Sequence, residues 1–442
     1  MSKLFESKQW IGEFFSEDDF DQRFSGRVNY SPTDGVILEY WVSTHKMPAD
    51  SGFVHGVLET GEKCTLIGAF TTSHSSISFK DNLQMRVGRV GFPCLIVGDF
   101  LRSDELYNNF NFSLSNMQEF FFAKGFKDFV KYSEDPILVA DTKFGHIRVS
   151  NNAKFGPLHA DITKQIYSWD KQALEDIRDA FLKVKEDRPQ ASFMLKKDIE
   201  YRLEINLNES VDYHALFKYI SNLADLFAVL TYSPVHPESI QILKYFGEVD
   251  GDRVRILKFY PSNALSVKTL ELSAQHASHF HLPITNRKVD LGLLIEEWME
   301  SPDRFATTVS GIQNETGYRN LHSLHGELVL FSTQLEAISM DDGVKSGEKY
   351  EYPIRQYSIK KISDGIKQVF LKFGVSSVGE GISTLRNEIA HVGRPKRLIK
   401  VMNMEDLILL SQYLELTILA YILKKIGVGA ELVEDYQDKC CP

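Results

Sequence analysis

What most limits the fold of this chain is a change of texture near residue 288. Before it, short β-branched and aromatic runs are broken every few residues by glycine or by Asp/Asn pairs, the pattern of antiparallel strands. After it, longer segments with apolar residues spaced three and four apart take over, the pattern of packed helices. Such a chain is expected to be α+β, with a β-rich N-terminal domain over residues 1–287 and an all-α helical bundle over residues 288–442. A length of 442 residues suits this division, and 43% hydrophobic with 25% charged residues excludes disordered and fibrous classes.

Strand candidates are Arg27–Tyr30 and Val36–Val42 about a Pro32–Gly35 turn, then Phe53–Leu58, Cys64–Phe70, Ser76–Phe79 and Gln84–Val90. Cys94–Val97, Ile137–Ala140 and His146–Val149 come next. Asp170–Lys185 has helical spacing, with Leu174, Ile177, Phe181 and Val184 on one side. After a strand at Tyr201–Leu207, Ser210 is positioned to cap a helix whose apolar face includes Leu216, Ile220, Leu223 and Phe227. Ile240–Phe246 and Arg253–Phe259 form a last strand pair, turned by Asp250-Gly251. The bundle helices are expected at Leu291–Met299, Tyr318–Met340, Ile359–Phe373, Val378–Ala390 and Met404–Ile426.

Fifty Lys+Arg against sixty Asp+Glu leave a net charge of −10, which excludes gripping nucleic acid by bulk charge but not by a local basic site. Cys64 and Cys94 stand alone, and Cys440 and Cys441 are adjacent in a tail expected to be mobile. Without a CxxC spacing, neither a zinc ribbon nor a redox pair is expected, and no metal or other cofactor is assigned. The N-terminus turns acidic at Glu17-Asp18-Asp19 without an apolar core segment, so a cytoplasmic protein with reduced thiols is expected. Leu407 to Leu423 spans 17 mostly apolar residues but carries Gln412 and Glu415, and reads as a buried helix rather than a membrane span.

The segment with chemical promise is Leu385-Arg386-Asn387-Glu388-Ile389-Ala390-His391, continued by Val392-Gly393-Arg394-Pro395-Lys396-Arg397. Gly393 and Pro395 stop a helix, which places His391 in its last turn, where partial negative charge favours imidazolium. A histidine titrates near neutrality and so gives and takes protons there. Arg386, Arg394, Lys396, Arg397 and Lys400 surround the single acid Glu388, a local anion site for which RNA phosphate is the obvious ligand. Five residues of regular helix turn Arg386 and His391 about 140° apart. One copy does not focus both on one phosphate, whereas two copies about a twofold axis do, so a homodimer or higher oligomer with a composite active site is expected. Spacing alone does not separate this site from a solvated basic helix end.

Arg386 to His391 resembles the R-x4-6-H motif of HEPN ribonucleases, here as R-x4-H with a polar residue after the arginine. It lies between the penultimate and last long helices, where that family carries it, and looks like the Apea-like HEPN branch of bacterial anti-phage defence. The N-terminal part is similar to the ApeA N-terminal domain at Trp10-Ile11-Gly12-Glu13-Phe14, Phe24-Ser25-Gly26-Arg27-Val28 and Gly35-Val36-Ile37-Leu38-Glu39. The resemblance implies a metal-independent endoribonuclease acting in abortive infection on tRNA or other host RNA. In that chemistry the ribose 2′-OH attacks the adjacent phosphate, leaving 2′,3′-cyclic phosphate and 5′-OH ends. It implies His391 as general acid/base, Arg386 as holder of the scissile phosphate and Asn387 as an orienting group. Charge alone adds Arg394, Lys396 and Arg397 as flanking RNA-backbone contacts. The N-terminal domain is expected to sense a phage-derived activator or to restrain the nuclease. The alternative is a non-catalytic helical dimer that binds RNA or protein.

Other features carry less. His276, His279 and His281 form an HxxHxH cluster with no acid or cysteine beside it, expected to be surface or packing histidines. Gly88–Gly91 is not a GxGxxG loop and no GxxxxGK[ST] occurs, so nucleotide hydrolysis is not indicated. Structural roles are expected for His322 and His325. Phe120-Phe121-Phe122, with Phe126 and Phe129, reads as core.

Overall fold

The computed structural model describes residues 4–17, 19–43, 50–72, 76–78, 84–102, 104–121, 133, 135–158, 161–246, 253–263, 265–274, 278–313, 321–344, 346–391 and 393–442. The chain is α+β. Its first strands are β1 (Lys8–Ser16), β2 (Asp19–Ser31), β3 (Gly35–Ser43), β4 (Ser51–Leu58), β5 (Lys63–Phe70), β6 (Ser76–Ser78) and β7 (Gln84–Phe92). β8 (Cys94–Val97), β9 (Tyr107–Leu114), β10 (Leu138–Thr142), β11 (Gly145–Pro157), β12 (Met194–Val211), β13 (Pro237–Phe246) and β14 (Arg253–Pro261) complete the set. Among the described residues all join one 14-stranded sheet, in the order β10-β11-β12-β9-β13-β14-β8-β5-β4-β1-β2-β3-β7-β6.

Alternation builds this sheet. In β3, Val36, Leu38, Tyr40 and Val42 point into the core while Trp41 faces out. Val28 of β2 pairs with Leu38 on one side and Trp10 of β1 on the other, so the three N-terminal motifs are neighbouring strands. The turn between β2 and β3 needs Gly35, whose φ is +78° and whose missing Cβ would strike Ser262. Asp250-Gly251, read as the turn after β13, lies outside the described residues.

Four helices accompany the sheet: α1 (Met117–Phe121), α2 (Lys171–Asp187), α3 (Tyr213–Thr231) and α4 (Val267–Ala274). β12 runs to Val211, so the cap of α3 is Asp212, which accepts from the Ala215 N–H at 2.8 Å, and not the expected Ser210. The second half holds α5 (Leu291–Glu300), α6 (Ala306–Gln313), α7 (Leu321–Asp341), α8 (Glu351–Tyr357), α9 (Lys360–Leu371) and α10 (Val378–Ala390). α11 (Leu398–Val401), α12 (Met404–Lys425) and α13 (Ala430–Cys440) close the chain. α12 is long and apolar enough to cross a membrane, yet 83% of its most apolar stretch is buried within the protein. The expected mobile tail is instead α13, held by Tyr436, which is fully buried and donates to the Val229 carbonyl at 2.8 Å. Burial there pushes the Cys440 thiol up to about 12.

The hydrophobic core runs unbroken from sheet to helices through α3. Phe227 packs edge-on against Phe120, Trp298 of α5 donates to the Asn222 carbonyl at 2.8 Å, and Tyr232 donates to Glu415 of α12 at 2.9 Å. Phe120 and Phe121 are core as expected, while Phe122, Phe126 and Phe129 lie outside the described residues. The helix expected over Asp170–Lys185 is α2, and none of its residues is fully buried.

Candidate active site at the end of helix α10

Helix α10 is fixed at both ends. Ser377 caps it, accepting from the Glu380 N–H at 3.2 Å, and passes its own hydroxyl to Glu351 at 2.7 Å. Glu351 also accepts the Gly379 N–H at 3.0 Å. The Ser377 hydrogen bond and the Gly379 N–H, with the nearby Arg355 charge, hold this carboxyl below its usual range against its partial burial. Ile382 and Leu385 are buried, and Gly381 lets the Phe370 ring of α9 lie against the helix. A Cβ at Gly381 would sit 2.5 Å from that ring. Gly381→Ala is therefore expected to destabilise by about 1–3 kcal/mol despite alanine's better helix propensity, which thermal unfolding would reveal as a lowered Tm.

At the other end, Ala390 is the last helical residue and His391 is the C-cap, extended at φ −117° and ψ 111°. Its N–H closes the helix on the Asn387 carbonyl at 3.1 Å. His391 has left the helical path, so the 140° separation of a regular helix does not govern its ring. Its imidazole is exposed and has no hydrogen-bond partner among the described residues. Arg386 is half-buried, and its Nε is shielded from solvent with no partner among the described residues. A desolvated guanidinium N–H without an acceptor is costly, and an anionic ligand would relieve it. Asn387 lies half-buried between them in sequence.

Two residues organise the segment beyond the helix. Glu388, 3% exposed, accepts the backbone N–H groups of Arg397 at 2.8 Å, Leu398 at 3.2 Å and Ile399 at 3.0 Å, capping α11. Lys396 donates to the backbone carbonyls of Glu388 and His391, the latter at 3.0 Å, and so neutralises the C-terminal end of α10. Its ammonium is already occupied, whereas Arg394 and Arg397 are exposed with no ion pair among the described residues. The segment is thus a braced loop carrying one exposed imidazole and exposed guanidinium groups. Sequence reasoning treated Glu388 only as a lone acid and missed its brace, though an acid with a short helix start nine to eleven residues later was the available signal.

Elsewhere, His279 is spent on the Glu119 carbonyl at 2.6 Å, His281 is exposed and His276 lies outside the described residues. Among the described residues no His/Cys/Asp/Glu group has metal-binding geometry. His322 and His325 both fall within α7. A cavity of about 310 Å³ between α3, α6 and β13 holds Asp225, which accepts from Gln313 at 2.9 Å. Burial pushes this carboxyl up to about 6, with Gln313 opposing. The folded state therefore holds the proton more tightly than the unfolded chain. That stabilisation is full below the ordinary aspartate range and is lost as pH rises through about 6. Asp225→Asn is expected to raise Tm at about pH 8, with the gain fading to nothing by about pH 4 in a pH series of thermal melts.

The chain is thus a large antiparallel sheet with packed helices, followed by C-terminal helices that carry a candidate anion site. The family model of ApeA N-terminal domain 1 matches residues 9–298, about two thirds of the chain, and the chain belongs to that family. The match extends through most of α5, past residue 287. Membership points to anti-phage defence. No curated protein matches, and no solved structure matches.

Proposed function

We propose that this ApeA-type protein is a HEPN endoribonuclease that acts in the cytoplasm as an effector of anti-phage defence, cleaving tRNA or other host RNA. The observation that carries the reading is the presence, at one helix end braced by Glu388 and Lys396, of an exposed C-cap imidazole, His391, and a guanidinium nitrogen of Arg386 without a partner among the described residues. Arg386 holds the scissile phosphate and stabilises its developing charge. His391 takes the proton of the 2′-OH and returns one to the leaving 5′-oxygen, with Asn387 orienting the pair. The exposed Arg394 and Arg397 receive the flanking backbone, and Lys396 serves the loop rather than the RNA. Two protomers share the cleft, one supplying the arginine and its partner the histidine.

The test is chemical. RNA from cells making the wild-type protein during infection is expected to carry new 2′,3′-cyclic phosphate and 5′-OH ends that are absent with His391→Ala. RNA binding and full defence retained by His391→Ala, with no such ends from the wild type, would instead establish a non-catalytic binder.

A further inference from the structure

Helix α2 runs from Lys171 to Asp187 without one buried side chain. An isolated helix of this length is marginal in water, and helices in proteins draw most of their stability from packing an apolar face. Leu174, Ile177, Phe181 and Val184 recur at alternating steps of three and four, the spacing of a helix-pairing seam. Ile177 and Val184 are 45% and 41% exposed. Phe181 leans on Phe193, ring centroids 5.3 Å apart, which covers only part of the seam. Tyr167 and Trp169, 75% and 91% exposed, carry the apolar surface past the Asp170 cap. Contiguous exposed apolar surface of this kind marks an interaction site.

Charge selects the occupant. Lys171, Arg178 and Lys185 recur every seven residues along one border of the seam, where Arg178 pairs with the neighbouring Asp179 at 3.1 Å and the Lys185 ammonium lies over the Phe181 ring, with Ala173, Ala180 and Asp187 along the other. Glu175, Asp179 and Glu186 lie on the back. A second α2 fits poorly: antiparallel packing sets basic border on basic border, and parallel packing sets it against Ala173 and Ala180. A lipid surface fits poorly as well, because surface-bound helices carry Lys and Arg on the face opposite the apolar one, and here that face is acidic. We propose that α2 is a docking helix for an acidic amphipathic helix of another protein, whose apolar residues fill the seam and whose carboxylates meet Lys171, Arg178 and Lys185. This inference stands apart from the ribonuclease reading, since its test measures binding and not cleavage.

The probe is a labelled peptide of three heptads with Leu at the a and d positions and Glu at e and g, titrated with the full-length protein by fluorescence anisotropy. Saturable binding is expected. Ile177→Asp combined with Val184→Asp weakens it by at least about tenfold. Lys171→Glu, Arg178→Glu and Lys185→Glu together exchange the preference for the matching peptide with Lys at e and g. Because Ile177 and Val184 are exposed, as are Lys171 and Arg178, and Lys185 is only half-buried, both variants keep a Tm close to that of the wild type. The proposal is overturned by an absence of saturable binding, by equal wild-type affinity for the Lys peptide, or by capture on phosphatidylserine vesicles instead. It is overturned equally if the wild type self-associates and Ile177→Asp with Val184→Asp makes it monomeric.

Discussion

His391→Ala is expected to lower RNA cleavage by about 10²–10⁴-fold while leaving Tm unchanged, since the imidazole is exposed and partnerless among the described residues. Arg386→Ala is expected to match it, and Arg386→Lys to fail as well, because an ammonium does not reproduce the fork that guanidinium offers to phosphate oxygens. The two alanine variants also test the shared cleft. Mixed in equal amounts, half the dimers carry one protomer of each kind. Each such dimer has one cleft with both groups intact, so about a quarter of wild-type activity returns. If both groups come from one protomer, mixing restores nothing. Cleavage of RNA at the wild-type rate by both single variants would remove the assignment of catalysis to Arg386 and His391.

The second large effect is expected away from the chemistry. Glu388→Ala leaves three backbone N–H groups of the 397–399 segment without their acceptor, at a side chain only 3% exposed. A loss of about 3 kcal/mol or more in unfolding free energy is expected, since each unsatisfied buried donor costs about 1–3 kcal/mol and water recovers part of it. Chemical denaturation would show it as a lowered midpoint. Cleavage falls in the same variant because the loop carrying Arg394 and Arg397 loses its brace. The two substitutions are therefore separable: Glu388→Ala lowers stability and activity together, whereas His391→Ala lowers activity alone. An unshifted denaturation midpoint for Glu388→Ala would show that its three hydrogen bonds are not what holds the loop.

Much of this architecture could be read from residue pattern because the period of apolar residues was clean where it mattered. Cys94–Val97 and Val378–Ala390 coincide with β8 and α10 to the residue, one a short run buried on both faces and the other ended by the Gly393 and Pro395 stop signals. β9 was not legible: Asn108, Asn109 and Asn111 interrupt it, and only tertiary pairing with β12 and β13 makes a strand of Phe110, Phe112 and Leu114. α13 was missed because Glu431, Glu434, Asp435 and Asp438 mask the few residues that dock it, Val433 and Tyr436 among them. At the candidate site, residue types located the motif, but what each charge is used for needed coordinates. Lys396 reads as a flanking phosphate contact, and its ammonium donates to the carbonyls that end α10; Glu388 reads as a lone acid, and it accepts three N–H groups of the loop. The apolar spacing of α2 marked a helix but not what lies against it, since periodicity reports a face to be covered and not what covers it.

The order of helices along the chain has a consequence for synthesis. α12 supplies the buried centre of the helical half and is translated after the Arg386–His391 segment. A polypeptide halted between them would lack Leu410, Leu414, Ile418 and Ile422, all buried in the finished fold. The helices that hold α10, α7 and α9, would then be missing the partner on which both of them pack. For a ribonuclease of the kind proposed, a chain interrupted before α12 is thus expected to lack the packing that holds the Arg386–His391 segment in place.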